Sequence, residues 1–282
     1  MSKIIVATDF SESSHNAFLH ALSVAKHCKS DLCMVWVKKS DIEKDKFDPK
    51  SDPVKQVKSQ FDELISRYGP ELGKNSISYK IRTGKIYKEV ADEARESEAM
   101  MIIAGTHGAS VFVEFWIGSN ANRIISLAPC PVITIRAGID AERPLKKIVM
   151  PIDSTMETRQ KASFTGYLAK RHDAEVHILS MYASGLRDIR KKVDLYSQQV
   201  GGYYDKEGVK YTIEGIKADN FAETIIGYSA KISANLISVM KDQEYTASNL
   251  WMGPYTQQIV NHSQVPVLVI QSKETLAAGL GF

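Results

Sequence analysis

Apolar residues along the chain follow two alternating rhythms. Short continuous runs, MMIIAG at 100–105, PVITI at 131–135, NLISVM at 235–240 and PVLVI at 266–270, have the length and composition of strands covered on both faces. Between such runs the apolar positions recur at helical spacing. Val54, Val57, Phe61, Leu64 and Tyr68 mark one face of a helix that stops at Gly69. Leu186, Ile189, Val193, Tyr196 and Val200 repeat those spacings, with Gly201 following as the corresponding stop. Strict alternation comes next in both places, Ile77, Tyr79, Ile81 and then Val209, Tyr211, Ile213, which predicts two further strands.

The rhythms recur because the chain repeats itself. KIIVATD at 3–9 aligns with KIVMPID at 147–153, an offset of 144 positions, and each places an aspartate directly after a buried-strand pattern. WIGSNANRIISLAPCPVITI at 116–135 aligns without a gap with WMGPYTQQIVNHSQVPVLVI at 251–270, an offset of 135. The second copy is therefore nine residues shorter, chiefly in the loop after its second strand, residues 38–53 of the first copy. Each half reads strand, helix, strand, helix, strand, helix, strand, helix, strand. That alternation predicts an α/β fold of two tandem open-sheet domains, each a five-stranded parallel sheet with helices on both faces. The polar, turn-rich stretch AGIDAERP at 137–144 places the boundary, giving domains 1–141 and 142–282.

Composition narrows the function classes. At 282 residues the chain has room for two domains of about 150 residues. Its 44% apolar and 24% charged content is that of a globular protein. A formal charge of +3 is too small for a nucleic-acid footprint. The densest basic stretch, Arg187, Arg190, Lys191 and Lys192, falls on the polar face of an amphipathic helix and reads as solvated surface. Cys28, Cys33 and Cys130 show no CxxC spacing and read as small buried hydrophobes in a reducing compartment. The longest apolar stretches, 99–104 and 265–270, fall far below the roughly 18 residues of a membrane span. A cytoplasmic protein with neither a membrane nor a nucleic-acid partner is expected.

One motif carries chemistry. Gly105, two residues, Gly108, nine residues, Gly118 and Ser119 lie between the end of a buried strand and the start of a helical pattern. Glycine at a strand end lets backbone approach a ligand and permits positive φ. A helix that starts at Ser119 offers unpaired backbone N–H groups and a positive dipole end to an anion. The Ser119 hydroxyl adds a donor. Physically, the pattern points to phosphate.

GTHG, then GS, then APCPV at 128–132, together with VATDFSESS near the start and LCMVWV at 32–37, resembles the universal stress protein family. Nucleotide-binding members of that family carry glycine, two residues, glycine, nine residues, glycine and serine or threonine. With the second copy the resemblance spans nearly the whole chain. It implies an adenine-nucleotide α-hydrolase-like fold, ATP with Mg²⁺ as ligand, and a role in stress physiology rather than a defined reaction. On this sequence the family pocket falls on Asp9 and Val37 for adenine and ribose, and on Gly105, Gly108, Gly118, Ser119 and Asn120 for the phosphates. His107, between two pocket glycines, is placed to approach a phosphate. Ala7, where many members have proline, and Phe112, Phe115 and Trp116, where a shorter and more basic segment is common, depart from the pattern. The family also pairs domains through their last strands, which implies an internal pseudo-dimer here.

The second copy has Met240 and Gln243 opposite Gly105 and Gly108, and Pro254, which lacks a backbone N–H, opposite Ser119. It is expected to keep the fold without holding a triphosphate. Asp9 reads equally as a helix cap or a ribose acceptor, and Asp153 as a cap. Gly69, Gly73, Lys74 and Asn75 mimic a Walker A loop but follow a helix, and read as a turn. His15, His20 and His27 do not share one metal-facing side. The expected function is an ATP-binding regulatory protein with no assigned catalytic residue, an unidentified protein partner and self-association. The alternatives are a slow ATPase or nucleotidyl-transfer enzyme and a nucleotide-independent scaffold whose phosphate recess is filled by Phe112, Phe115 and Trp116.

Overall fold

The structure, a computed structural model, describes residues 2–38, 53–106, 118–140, 143–183, 185–241 and 254–272. The first half runs β1 (Lys3–Ala7), α1 (Glu12–Cys28), β2 (Asp31–Lys38), α2 (Pro53–Tyr68), β3 (Ile77–Thr83), α3 (Ile86–Glu96), β4 (Met101–Gly105), α4 (Ser119–Leu127) and β5 (Val132–Ile135). The second half follows with β6 (Lys147–Ile152), α5 (Lys161–His172), β7 (Glu175–Tyr182), α6 (Arg187–Glu207), β8 (Lys210–Lys217), α7 (Phe221–Lys231), β9 (Leu236–Met240), α8 (Pro254–His262) and β10 (Val267–Ile270).

All pairings within a half are parallel, in the orders β3-β2-β1-β4-β5 and β10-β9-β6-β7-β8. Strand residues alternate between two layers of core, as a pleated backbone requires. Ile4 and Val6 pack with Phe18, Phe61, Leu168 and Tyr204 beneath α1, α2, α5 and α6. Ile5 and Val35 pack with Val90, Ile124, Ile225 and Ile259 beneath α3, α4, α7 and α8.

The two sheets are one. β5 and β10 pair antiparallel, with Ile133 opposite Leu268 and with Val132 and Thr134 opposite Val269 and Val267. Ile133 and Leu268 occupy equivalent places in the repeat, so a pseudo-two-fold axis passes between them and makes a ten-stranded sheet. Burying two parallel-sheet edges against each other also removes two unpaired edges from solvent.

The repeat extends to backbone strain. α1 ends at Lys29 with φ 53° and α5 ends at Asp173 with φ 50°, each closing a hydrogen bond onto the preceding turn. Glu98 and Ser233, before β4 and β9, have φ 47° and 54°. The left-handed region is costly for residues with a Cβ, so its retention at equivalent places shows that the turns, more than the side chains, are under constraint.

Two local expectations need correction. α6 does not stop at Gly201 but continues to Glu207 and is capped by Gly208 at φ 66°. Gly201 is there for packing, because a Cβ would stand 3.0 Å from the Tyr211 ring. Nor is Asp153 a helix cap: its Oδ1 accepts from Thr155 N at 2.8 Å and closes a turn ahead of the helical segment. Gly73, from the Walker-like stretch, sits in a turn at φ 63°. All three cysteines are free and buried, and burial pushes the Cys28 thiol up to about 11 and that of Cys130 up to about 12.

Candidate functional site

The nine-residue helix α4 leaves the C-terminal edge of the sheet beside β4. Its start is tied to that strand by a 2.7 Å bond from Gly118 N to Thr106 O, while Thr106 N reaches Ile135 O on β5 at 2.9 Å. Gly118 is the N-cap, and its carbonyl accepts from Asn122 N at 3.1 Å. Among the described residues no side chain caps this helix, in contrast to α1, where Ser11 accepts from Ser14 N, and α7, where Asn220 accepts from Glu223 N. Ser119 and Asn120 are exposed. The first N–H groups of a helix have no acceptor within it, so α4 presents an exposed donor cluster at the positive end of its dipole.

Gly105 and Gly118 are both short of positive φ: Gly118 has φ −57° and Gly105 is absent from the left-handed residues. Conformational freedom is therefore not what either supplies. At Gly105 the missing Cβ matters for packing, because it would stand 2.9 Å from the Ser13 carbonyl oxygen and closer still to Ser13 Oγ. The first turn of α1 thus presses directly on the end of β4. His107 and Gly108, together with Phe112, Phe115 and Trp116, lie outside the described residues.

Asp9 is exposed at the turn between β1 and α1, where its Oδ1 accepts from Ser11 N at 3.1 Å and from the Ser11 hydroxyl. The N-cap of α1 is Ser11 and not Asp9. Phe10, at φ 60°, turns the chain and packs against Phe61, the rings tilted with their centroids 5.0 Å apart. Val37 is buried in the core layer under α3 and pairs with Arg82 of β3. On that neighbouring strand Arg82 gathers Glu89, Glu93 and Glu96 of α3 at 2.8–2.9 Å, which fixes α3 against the sheet edge.

The same turn in the second half shows which of these features belong to the fold. Asp153 Oδ1 accepts from Thr155 as Asp9 Oδ1 does from Ser11, and Asp153 N reaches Thr158 Oγ1 at 3.2 Å where Asp9 N reaches Ser14 Oγ at 3.4 Å. α8 also spans nine residues, but it begins at Pro254. A proline at the first helical position is tolerated because that N–H has no acceptor in the helix, and it removes one of the donors that α4 keeps.

Sequence reasoning missed a set of donors between the halves. Arg136 Nη1 donates to Asn261 O on α8 at 2.8 Å, Gln271 Nε2 donates to Ile125 O on α4 at 2.9 Å, and Lys241 Nζ donates to Ser126 O at 3.2 Å. Each donor immediately follows a buried strand run, and a polar residue at such a place was the available signal. A cavity of about 500 Å³ lies between α5 and α6, lined by Tyr167, Lys170, Arg171 and Tyr203 among others. Its cations are engaged, Lys170 with Glu207 O at 2.9 Å and Arg171 over the Tyr167 ring at 5.3 Å. Among the described residues no cluster of three or more His, Cys, Asp or Glu could hold a metal, and no helix is long and apolar enough to cross a membrane.

A model of the universal stress protein family matches the chain twice, over residues 1–136 and 144–271. The chain belongs to that family. A universal stress protein of Methanocaldococcus jannaschii is 25% identical over 141 residues, covering 48% of this chain and 81% of the relative. Among solved structures, a universal stress protein from Archaeoglobus fulgidus superposes with a TM-score of 0.73 at 16% identity, covering 95% of this chain and 98% of that one. A protein of unknown function from Pseudomonas aeruginosa follows with a TM-score of 0.67 at 14% identity, covering 99% and 95%. At these identities the likeness establishes the tandem fold, and the ligand has to be argued from the residues of this chain.

Proposed function

We propose that this universal stress protein is an ATP-binding regulatory protein that holds one nucleotide in its first half and performs little or no catalysis. The observation that carries the reading is the start of α4: an exposed helix N-terminus without a side-chain cap among the described residues, bearing Ser119 and Asn120 and anchored to the end of β4 through Gly118 and Thr106. Its dipole and open N–H groups suit a polyphosphate, and the spacing to Gly105 and Gly108 is that of the family's nucleotide-binding members. Val37, near the C-terminal end of β2 with its side chain buried under α3, borders the base. Asp9 faces the ribose with whatever acceptor capacity its turn leaves over, since the Ser11 bonds recur in Asp153 without any glycine motif beside it.

Mg²⁺ fits this scheme as a companion of the phosphates, because a magnesium ion usually keeps several waters and takes phosphate oxygens rather than a protein cage. The absence of a triphosphate cradle in the second half follows from Pro254 and Met240. Residence in the cytoplasm, self-association and an unidentified protein partner belong to the same proposal.

The test is to denature the purified protein and identify any released small molecule by mass spectrometry. Recovery of an adenine nucleotide supports the reading, whereas an empty protein that also fails to take up ATP leaves the scaffold alternative. Steady-state phosphate or pyrophosphate release above background would move it to the enzyme class.

A further inference from the structure

The helix that presents the phosphate donors is held at its other end by the opposite domain. Nine residues make a helix about 13 Å long, too short to be stable on its own propensity, so its position depends on what grips it. The last carbonyls of any helix lack intrahelical partners. On α4, Ile124 O takes the N–H of Ala128 at 2.9 Å, but Ile125 O and Ser126 O take Gln271 Nε2 and Lys241 Nζ from the second half. Gln271 and Lys241 are both buried.

The arrangement is reciprocal only in part. Arg136 is the repeat equivalent of Gln271, and it grips Asn261 O on α8. Lys241, however, has Thr106 as its equivalent, so each helix end receives one cation from the opposite half, Arg136 on α8 and the buried Lys241, beside Gln271, on α4. A cation at the C-terminal end and an anion at the N-terminal end both stabilise the same macrodipole. The half that lost the phosphate motif has therefore placed a charge where it favours anion binding by the half that kept it.

We propose that Lys241, assisted by Gln271, is a positioning residue for α4, through which the second domain sets the polyphosphate affinity of the first. The inference rests on the reading of α4 as the phosphate cradle. Burial lowers the ammonium pKa, in keeping with a group whose charge is not solvated by water and depends on the carbonyl it meets.

The experiment compares the intact chain with Lys241→Met, Lys241→Gln and Gln271→Leu by calorimetry with ATP and with adenosine, and follows hydrogen exchange of the α4 amides without ligand. Lys241→Met is expected to weaken ATP about tenfold and to leave adenosine unchanged. Lys241→Gln keeps a donor without the charge and should fall between; Gln271→Leu should shift ATP in the same direction by less. Exchange at the first turn of α4 should rise in Lys241→Met. If Lys241→Met does not fold, Gln271→Leu decides by the same selectivity. ATP affinity equal to that of the intact chain, or equal losses for ATP and adenosine, would overturn the inference. If the intact chain binds no adenine nucleotide, the cradle reading fails by itself, and unchanged α4 exchange would sink the bracing as well.

Discussion

α4 and α8 are equivalent helices of nine residues that leave equivalent strands and are gripped from across the pseudo-two-fold axis. They differ where they begin, at Ser119 and at Pro254. What the halves share is everything the sheet needs: strand pairing, the left-handed turns at Lys29 and Asp173 or Glu98 and Ser233, and the Asp-centred turn after the first strand. Gly253 matches Gly118, but the second half has Met240, Gln243 and Pro254 where the first has Gly105, Gly108 and Ser119. Packing requirements therefore persisted in both copies, and the groups whose chief use is an anion persisted in one. The comparison also demotes Asp9, because a residue that does the same structural work in both halves is not by itself a mark of the nucleotide.

The sharpest way to break the comparison is to transplant the difference. Ser119→Pro should leave the fold intact, since proline is accepted at the first helical position, yet weaken ATP by roughly 100-fold, about 2.7 kcal/mol, through loss of an N–H and a hydroxyl. Calorimetry reads the affinity and thermal unfolding reads the fold; unaltered ATP binding would place the phosphates elsewhere.

Gly105→Ala comes next. Its Cβ would press on the Ser13 backbone, and overpacking of this kind costs about 2 kcal/mol. Thermal unfolding should show a drop of several degrees, and a neutral result would return Gly105 to a purely ligand-facing role.

The domain seam offers a pH test, whose effect per pH unit is smaller. His172 of α5 stacks on His27 of α1 at 4.2 Å. It is buried, and its Nε2 meets no hydrogen-bond partner among the described residues. Burial, then the neighbouring His27, His20 and Lys146, push its pKa down to about 3 from 6.5. The folded protein keeps this ring neutral while the unfolded chain protonates it, so stability is lost as pH falls through 6.5 toward 3, by at most about 1.4 kcal/mol per unit. Denaturant titrations between pH 7 and 4 should show a shallower slope in His172→Phe; identical slopes would contradict the assignment. Smallest of all should be Pro254→Ser, expected to change stability by less than about 0.5 kcal/mol and to create no second nucleotide site, because Met240 still stands where the first half has Gly105.

Much of this architecture was legible because it is periodic. The apolar runs and the two offsets locate the strands, and the gapless alignment of 116–135 with 251–270 places β5 and β10 in matching positions. Gly201 misled because a glycine inside a helix that touches Tyr211 and a glycine that ends a helix look alike in one dimension. Asp9 and Asp153 misled in a similar way: the turn they close lies upstream of the helix, and only geometry separates it from a cap. The grip of Lys241, Gln271 and Arg136 on helix ends more than a hundred residues away has no local signature, since carbonyls at a helix end carry no residue identity. Of the nucleotide motif, the described residues include Asp9, Val37, Gly105, Gly118, Ser119 and Asn120.

The contrast between the two halves stands most directly on how many nucleotides one chain takes up. Titrating the intact chain with ATP should give one site per chain, with adenosine bound more weakly. Two equivalent sites would contradict the contrast between α4 and α8, and no binding at all would contradict the cradle itself.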